Sequence, residues 1–461
     1  MDTYHLDRLS PSIFRSKEGS RMVLHYKYIG FVGCYTSAGQ ADPFESSLGG
    51  VPHDRSRVGR GILAFGVDGS GNMHFLNDGE PIIEGIENPS YLCILGRNGE
   101  EGSARPALPR AGGLCVVSEV RGGEFQSYSI GRDVTRTGEI IIRATAIGTA
   151  LGTGGSYPCH VMSSNVGDDL VGIIVSNYGE DEGVLSIFVF GDGSVGPQSV
   201  IVALGPGSNV NPDRQISSHA HSASVTRHPS PPSSMDLCCA DLGSDVIVRF
   251  SLSITRSNEC GEISLSCAET ERISAPPGSG PRSIMFNPVF GDIAIVSLEM
   301  TAQVWLIRKS AKTGGYESLG EPVSLLPQNW PKESDEDYRF NHGRWASDAL
   351  WSPCGKFAYA AARLHNSITV FNLSTIADSS SMSVEFEPLR FVQRVSTEGL
   401  TPRCLCMSEC GQFIFVAHQH SHDISSFGRN ESDGTIEFID RLDVPNAACV
   451  KLIRPDCIGQ H

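Results

Sequence analysis

Several signatures of metal, membrane and nucleotide proteins are missing from this chain of 461 residues. Its fourteen cysteines include no Cys-x-x-Cys pair, so the usual spacing of a structural zinc site is absent. No apolar run reaches the roughly 20 residues that a membrane-spanning helix needs. The sequence also contains neither a Gly-x4-Gly-Lys-Ser/Thr phosphate loop nor a Gly-x-Ser-x-Gly nucleophile elbow, which leaves a P-loop enzyme or a serine hydrolase unsupported.

Positive charge is also scarce. The chain has 36 Lys and Arg residues against 52 Asp and Glu residues, for a formal net charge of −16. Nucleic acids and anionic membranes bind cationic surfaces, so we expect neither as a partner. We expect no cofactor and no metal. The sequence leaves the oligomeric state open and is compatible with a monomer.

The cysteines indicate a reducing compartment, because many of them lie within apolar runs. These are Cys34, Cys93, Cys115, Cys159, Cys238, Cys239, Cys404 and Cys449. Buried free thiols that act as small hydrophobic residues explain this placement best. The first 25 or so residues mix acids with bases and lack an apolar core, unlike a secretory signal, so a cytoplasmic location is expected.

One pattern recurs along the chain at a spacing of roughly 45–70 residues. Each copy opens on a proline or small residue, continues with two variable residues and then alternates apolar residues, as in Gly280–Phe286 and Thr401–Met407. Further short strand patterns follow each opening. The copies begin near Pro89, Pro158, His219, Pro281, Ser347 and Pro402. Four short strands in each repeated unit, with almost no helical periodicity, are typical of a β-propeller.

The two ends of the chain complete the count of blades. Tyr28–Tyr35 has the pattern of a second strand with no first strand before it, and Ala447–Ile453 that of a first strand with no blade after it. We therefore predict an all-β, seven-bladed β-propeller with four-stranded blades, closed by the C-terminal strand joining the N-terminal blade. The predicted divisions are a disordered extension at 1–25, the propeller at 26–455, a short tail at 456–461, and polar surface insertions near 38–60, 98–112, 226–235 and 331–344.

Polar residues gather where the innermost strands of such a ring begin. The ends of the second strands reach the same mouth of the central channel. Nine residues lie at the openings of the innermost strands or, for Arg214, in the loop before the copy that begins near His219. They are Ser90, Cys159, His160, Arg214, His219, His221, Arg282, Asp348 and Arg403. The second strands end at Glu119, Asn177, Tyr178, Asp241, Glu299, Arg363 and Gln419. Arginines that converge in an acidic protein predict an anion site.

Other interpretations of these residues stay open at this point. Glu119, Asp241 and Glu299 are equally consistent with acids that accept hydrogen bonds from backbone amides at strand ends. A metal site built from His219, His221 and an acid is possible, although no third ligand has diagnostic spacing.

Over about residues 28–453 the chain resembles the seven-bladed propeller lactonases. The resemblance rests on Tyr28–Thr36, Asn88–Leu92, Pro158–His160, Asn211–Gln215, His219–Ser222, Ala240–Asp245, Gly280–Arg282 and Thr401–Arg403. That family contains propeller-type 6-phosphogluconolactonases and, more distantly, 3-carboxy-cis,cis-muconate lactonizing enzymes. The resemblance implies hydrolysis of a sugar-acid lactone, with 6-phospho-D-glucono-1,5-lactone as the expected substrate and the pentose phosphate pathway as its setting.

Four positions depart from the pattern of that family. Ser283 follows Pro281-Arg282 where a histidine is usual, and Asp348 replaces a common glutamate. Ala362 and His418 stand where asparagines are expected.

Opening a δ-lactone needs a general base for the attacking water and positive groups for the developing oxyanion. We expect His160 to be the base, oriented by Glu299, Asp241 or Asp348. The expected substrate-binding residues are Arg214, His219, His221, Arg282, Arg403, Asn177, Tyr178 and Gln419. The three arginines are expected to hold the phosphate or polarise the carbonyl, with His219 and His221 as hydrogen-bond donors. Two alternatives remain: a 3-carboxy-cis,cis-muconate cycloisomerase that uses the same residues, and a non-enzymatic propeller that binds partners on its faces.

Overall fold

The computed structural model describes residues 25–37, 57–95, 112–167, 170–191, 194–227, 234–256, 263–330, 345–374 and 388–460. The predicted extension at 1–25 lies outside these ranges except for its last residue. The four predicted insertions lie wholly or largely outside them as well.

The described strands form seven antiparallel sheets, the blades of a propeller, which confirms the predicted fold. In each blade the first strand named is the innermost and the last is the outermost. Blade 1 consists of Ala447–Ile453, Tyr28–Cys34, Ile62–Val67 and Met73–Phe75. Blade 2 consists of Tyr91–Leu95, Gly113–Ser118, Glu124–Val134 and Ile140–Gly152. Blade 3 consists of Pro158–Gly167, Leu170–Asn177, Val184–Gly191 and Ser194–Ala203.

The other four blades follow the same order. Blade 4 consists of Ala220–Arg227, Ser234–Asp241, Val246–Arg256 and Ile263–Ser274. Blade 5 consists of Pro281–Phe286, Ile293–Leu298, Gln303–Lys309 and Tyr316–Ser318, with Val323–Ser324 beside its third strand. Blade 6 consists of Ala346–Trp351, Phe357–Ala362, Ser367–Leu373 and Leu389–Ser396. Blade 7 consists of Pro402–Met407, Phe413–His418, Asp423–Arg429 and Ile436–Asp443.

Blade 1 is shared by the two ends of the chain, as the sequence predicts. The strand Ala447–Ile453 pairs antiparallel with Tyr28–Cys34, from Ile29 opposite Ile453 to Cys34 opposite Ala447. The sheet edge that each of these strands would otherwise expose is therefore paired, which is the physical advantage of a closed ring.

The C-terminal tail also packs on the ring. After a short 3-10 turn at Pro455–Cys457, the strand Gly459–Gln460 pairs in parallel with Gly131 and Arg132 of blade 2. Ile458 between them is 3% exposed and belongs to the apolar core shared by blades 1, 2 and 7. The residues predicted as a tail thus link blade 1 to its neighbour.

The apolar core lies between adjacent blades. Every residue of the second strands Ile293–Leu298 and Phe413–His418 is buried, because a blade in the ring packs a neighbour against each face. Outer strands such as Ile263–Ser274 alternate between partly buried and exposed residues. No helix in the described part of the chain is long and apolar enough to cross a membrane.

A bulge near the start of the innermost strands positions the site. In blades 3, 4, 5 and 7 the pairing shifts by one residue, at Cys159, His221, Arg282 and Arg403 respectively. Blade 6 shows a shift between Ala346 and Ala349. A bulged residue is released from the regular alternation of faces, so its side chain can be directed elsewhere. The bulges occur at the repeat position that the sequence alignment assigns to the channel mouth.

Candidate active site

A single buried carboxylate, Glu299, lies at the centre of the candidate site. It follows the second strand of blade 5 in a short 3-10 turn and is 2% exposed. Its Oε1 accepts a hydrogen bond from Nη2 of Arg214 at 2.8 Å. Its Oε2 lies 2.9 Å from Nε of Arg282 and 4.0 Å from Nη1 of Arg363. The structure thus brings together Arg214, Arg282 and Glu299, three of the residues predicted for the site.

These arginines keep Glu299 ionised. Burial alone would raise its pKa, but the charges of Arg363, Arg214 and Arg282 outweigh burial and hold the pKa well below its ordinary value. A carboxylate with so low a pKa is a weak base. Its contacts favour a role in holding the guanidinium groups in place.

Asp348 extends this cluster to blade 6. Its Oδ1 lies 3.2 Å from Nη1 of Arg282, and its Oδ2 accepts a hydrogen bond from the backbone N–H of Leu405 at 3.2 Å. The shorter acid that replaces the usual glutamate therefore still reaches the arginine. Ser283, which replaces the usual histidine, is 2.7 Å from the hydroxyl of Ser297 and accepts a hydrogen bond from the backbone of Ala349.

The histidine pair packs around Tyr178. The ring of His219 stacks on Tyr178 with centroids 4.0 Å apart, and its Nδ1 is 2.9 Å from the Tyr178 carbonyl oxygen. The Nε2 of His221 lies 3.8 Å from Glu299 Oε2. Burial lowers the pKa of both histidines, so both are neutral near pH 7. The hydroxyl of Tyr178 accepts a hydrogen bond from Arg214 at 3.3 Å.

A second ion pair borders the first cluster. Nη2 of Arg403 lies 3.9 Å from Glu119, whose carboxylate also accepts a 2.9 Å hydrogen bond from the hydroxyl of Tyr35. The Arg403 guanidinium lies 5.0 Å from the centroid of the Tyr35 ring and donates a long hydrogen bond of 3.4 Å to Gln419. Among the described residues, four arginines of the two clusters, Arg214, Arg282, Arg363 and Arg403, therefore face the carboxylates of Glu299, Asp348 and Glu119.

His160 has a different environment from the one expected. Its ring packs on Tyr91 with centroids 4.7 Å apart, and Nδ1 is buried without a hydrogen-bond partner in the described part of the chain. None of Glu299, Asp241 and Asp348 lies within ion-pair distance of it among those residues. Burial and then the charge of Lys451 lower its pKa to about 3, so the ring is neutral.

Two predicted site residues have mainly structural contacts. Asp241 is fully buried, and its Oδ1 accepts hydrogen bonds from the backbone N–H groups of His219, Gly243 and Ser244. Asn177 donates to the Val184 carbonyl and to a serine hydroxyl within blade 3. Asp241 fixes the turn that presents His219, which is the alternative the sequence leaves open for this acid.

Two residues near the site have no role predicted from the sequence. Arg363 is predicted only to lie at the channel mouth, and Lys451 is not predicted to belong to the site. Arg363 follows the second strand of blade 6, at the repeat position that Glu299 occupies in blade 5. Lys451 lies on the innermost strand of blade 1, and its Nζ is 3.2 Å from the hydroxyl of Tyr91. Aligning that strand with the other six innermost strands would have revealed it.

No group of three or more His, Cys, Asp and Glu residues in the described ranges is arranged to hold a metal ion. His418, at a position where the family has asparagine, lies 2.7 Å from Asp423 and is separate from the arginine cluster.

Comparison with known proteins identifies the family. A family model described as a lactonase with a seven-bladed β-propeller matches residues 111–452. The chain belongs to this lactonase family. The family is the one that the sequence motifs resemble.

Relatives of this lactonase carry names that agree with the family. The chain is 26% identical to a 6-phosphogluconolactonase of Bacillus subtilis strain 168 over 431 residues, which are 93% of this chain and 99% of the relative. It is also 26% identical to a 6-phosphogluconolactonase of Formosa agariphila, over 62% of this chain and 70% of the relative.

Solved structures show the same fold. A periplasmic gluconolactonase of Pseudomonas aeruginosa superposes with a TM-score of 0.64 at 24% identity, covering 92% of this chain and 99% of that chain. A protein described as a putative 6-phosphogluconolactonase of Bacteroides uniformis superposes with a TM-score of 0.63 at 21% identity, covering 93% of this chain and 100% of that one. At these identities, the two structures bear on the fold alone.

Proposed function

We propose that this lactonase hydrolyses a sugar-acid lactone, and that its substrate is 6-phospho-D-glucono-1,5-lactone, which it opens to 6-phosphogluconate. The family and the names of the relatives support a lactonase. The arrangement of Arg214, Arg282 and Arg363 around Glu299 carries the proposal. Three guanidinium groups gathered at one place in a chain with a net charge of −16 are suited to an anion or to a developing oxyanion.

The arginines bind the reacting end of the substrate in this proposal. As water attacks the lactone carbonyl, negative charge develops on the carbonyl oxygen, and Arg282 with Arg214 stabilises it by hydrogen bonds that are already oriented. Glu299 holds the two guanidinium groups in place and does not itself take a proton, because its pKa is held low by the arginines. Arg403, aligned by Glu119 and Gln419, lies beside them.

His160 is the proposed general base. The residue is partly exposed and its ring is neutral, so a ring nitrogen that the attacking water reaches can accept a proton once an anionic substrate offsets the charges of Lys451 and Arg282, which lower the pKa of His160. The carbon–oxygen bond to the ring oxygen then breaks, and the imidazolium returns the proton to that oxygen. The products are a free hydroxyl and a carboxylic acid, which releases its remaining proton to solvent and becomes a carboxylate, and no redox partner is required.

Hydrolysis of freshly generated 6-phosphogluconolactone by the purified protein, measured above its spontaneous rate, tests this function. Arg282→Ala should lower kcat/KM by roughly 10²–10³-fold, the typical effect of removing one oxyanion donor. Arg308→Ala removes a partly exposed arginine of the same blade and should behave as wild type.

Two results would contradict the proposal. One is a wild-type rate equal to the spontaneous background. The other is turnover of 3-carboxy-cis,cis-muconate in place of the sugar lactone, which would favour the cycloisomerase. Binding of a partner protein without turnover of either compound would favour the non-enzymatic alternative.

We also propose that the protein works in a reducing compartment such as the cytoplasm, as part of the pentose phosphate pathway. All thirteen cysteines within the described residues carry free thiols, and the eight predicted to be buried are buried. Free thiols without disulfide bonds are typical of reducing compartments.

A further inference from the structure

Lys451 breaks the repeat of the propeller. Strand register aligns it with one position in each of the other six innermost strands. Those positions are Cys93, Met162, Ser224, Met285, Leu350 and Cys406. None of these residues carries a charge, so the ammonium of Lys451 is the exception in this layer of innermost residues. It is partly exposed, on a strand that borders the central channel.

Among the described residues, no carboxylate balances the charge of Lys451. Its Nζ contacts the neutral Tyr91, at 3.2 Å from the hydroxyl and 4.6 Å from the ring centroid. No carboxylate lies within ion-pair distance of Lys451 among the residues that the structure describes. The arginines at the mouth, in contrast, all face carboxylates. A partly buried cation without a counter-charge is costly, and an anion from solution would relieve that cost.

Tyr91 supplies a second donor for such an anion. Because its oxygen accepts the hydrogen bond from Lys451, the hydroxyl hydrogen is left to point elsewhere. Burial raises the pKa of Tyr91 well above its ordinary value, so this proton stays in place at any physiological pH. An ammonium and a phenol on neighbouring innermost strands form a compact pair of donors.

His160 lies beside this pair, and the charges of Arg282 and Asp348 also act on its ring. Its ring packs on Tyr91, and its pKa is lowered by burial, by Lys451 and by Arg282, whereas Asp348 raises it. The influence of both Lys451 and the Arg282–Asp348 pair places the imidazole within electrostatic reach of each. A substrate with an anionic group at one end and a lactone at the other could therefore contact Lys451 and the arginines while flanking His160.

We propose that Lys451, together with Tyr91, binds the phosphate group of the substrate and sets the preference of this enzyme for phosphorylated over unphosphorylated sugar lactones. This inference rests on the proposed function, in which the arginines of blades 4 to 6 hold the lactone end. It also couples binding to catalysis. The positive charge of Lys451 lowers the pKa of His160, and a phosphate bound beside Lys451 offsets that charge. Binding of the phosphorylated substrate therefore raises the pKa of His160 and makes it a stronger general base.

Lys451→Met tests the proposal, because it removes the charge and keeps a similar unbranched chain. Affinity for 6-phosphogluconate, measured by calorimetry, should fall about 10- to 100-fold, the range expected for one charge-assisted contact. Affinity for gluconate should fall by a much smaller factor. The ratio of kcat/KM for the phosphorylated and plain lactones should drop in parallel, and Lys451→Arg should retain most of it. Lys312→Met, at an exposed lysine, is the matched control.

A pH profile adds a readout that lost packing would not change. Removing the positive charge of Lys451 should raise the pKa of His160 in the free enzyme. The acidic limb of kcat/KM should therefore move to higher pH in Lys451→Met, and Lys451→Arg should leave it in place.

The outcomes separate this proposal from the proposed function. Two outcomes in Lys451→Met would overturn the phosphate site without affecting the proposed function. One is lactonase activity with an unchanged preference for the phosphorylated lactone, and the other is an equal loss of affinity for 6-phosphogluconate and gluconate. If the wild type opened neither lactone, titration with inorganic phosphate followed by thermal shift would decide. Stabilisation of wild type and Lys451→Arg, but not of Lys451→Met, would support the anion site although the proposed function had failed. Equal stabilisation of all three would overturn it.

Discussion

Arg282 and Glu299 bring Nε and Oε2 within 2.9 Å of each other, with side chains that are 6% and 2% exposed. Arg282 lies near the start of the first strand of blade 5, and Glu299 directly follows the second strand, whose end pairs with that start. The ion pair is therefore set by strand register. Its low exposure makes it more sensitive to substitution than the surface ion pairs of this protein.

Glu299→Gln should destabilise the fold. The substitution leaves three guanidinium groups around a neutral amide, and removing one partner from a buried ion pair costs about 3–5 kcal/mol. Urea unfolding measures the change, and Glu317→Gln, at an exposed position of the same blade, is the control. Added phosphate should recover part of the loss by occupying the arginines. Equal unfolding free energies in the two variants would show that Glu299 does not anchor the cluster.

The stability of the protein should depend on pH through His160. Its pKa falls from 6.5 to about 3 on folding, because burial and Lys451 oppose protonation. Between these values the unfolded chain takes up a proton that the folded chain does not, so stability decreases as the pH falls from 6.5 towards 3. His219 and His221 act in the same direction.

His160→Gln should make that decrease shallower, which chemical denaturation at a series of pH values would detect. The matched control is His25→Gln, at an exposed histidine. Parallel slopes for His160→Gln and wild type would contradict the environment described for this ring.

Truncation tests the closure of the ring. Deleting residues 447–461 removes the innermost strand of blade 1 and exposes the edge of Tyr28–Cys34, so the protein should lose its cooperative thermal transition and aggregate. Deleting only residues 455–461 removes the strand at Gly459–Gln460 and the buried Ile458, so it should lower Tm and leave a folded ring. If the longer deletion gave a soluble protein with an unchanged β-sheet circular dichroism spectrum, the shared blade would not be needed.

The thiols should react in two distinct groups. Cys354 and Cys410 are exposed, and their pKa values are lowered: burial alone would raise them, but hydrogen bonding with Ser352 for Cys354, and with Tyr28 for Cys410, outweighs it. They should react first with a thiol reagent in the native protein. All fourteen cysteines should react after unfolding without reductant. A Cys354→Ser/Cys410→Ser double variant that kept the rapid phase would contradict this assignment.

Repetition made the fold predictable from the sequence. Four-stranded units recur with recognisable openings, and the orphan strands at Tyr28 and Ala447 together account for the seventh blade. The same regularity identified the residues at the mouth, since the alternation of strand faces places equivalent positions of every blade at equivalent heights.

Contacts across the ring were not predictable in the same way. Which acid meets which arginine depends on side-chain rotamers and on the spacing between blades, neither of which the repeat encodes. The sequence therefore names Glu299, Asp241 and Asp348 as equal candidates to orient His160, whereas Glu299 and Asp348 contact arginines and Asp241 accepts backbone hydrogen bonds. Lys451 is absent from the predicted site because the sequence predicts its strand only as the element that closes the ring.

The shared blade has a consequence for how the protein is made. A chain synthesised from its N-terminus holds Tyr28–Cys34 without its inner partner until the strand at Ala447–Ile453 has left the ribosome, after the other six blades. That last strand also carries Lys451, which contacts Tyr91 of blade 2. Nascent and prematurely terminated chains therefore lack both the closed ring and one wall of the channel, so a complete site can form only on a finished molecule.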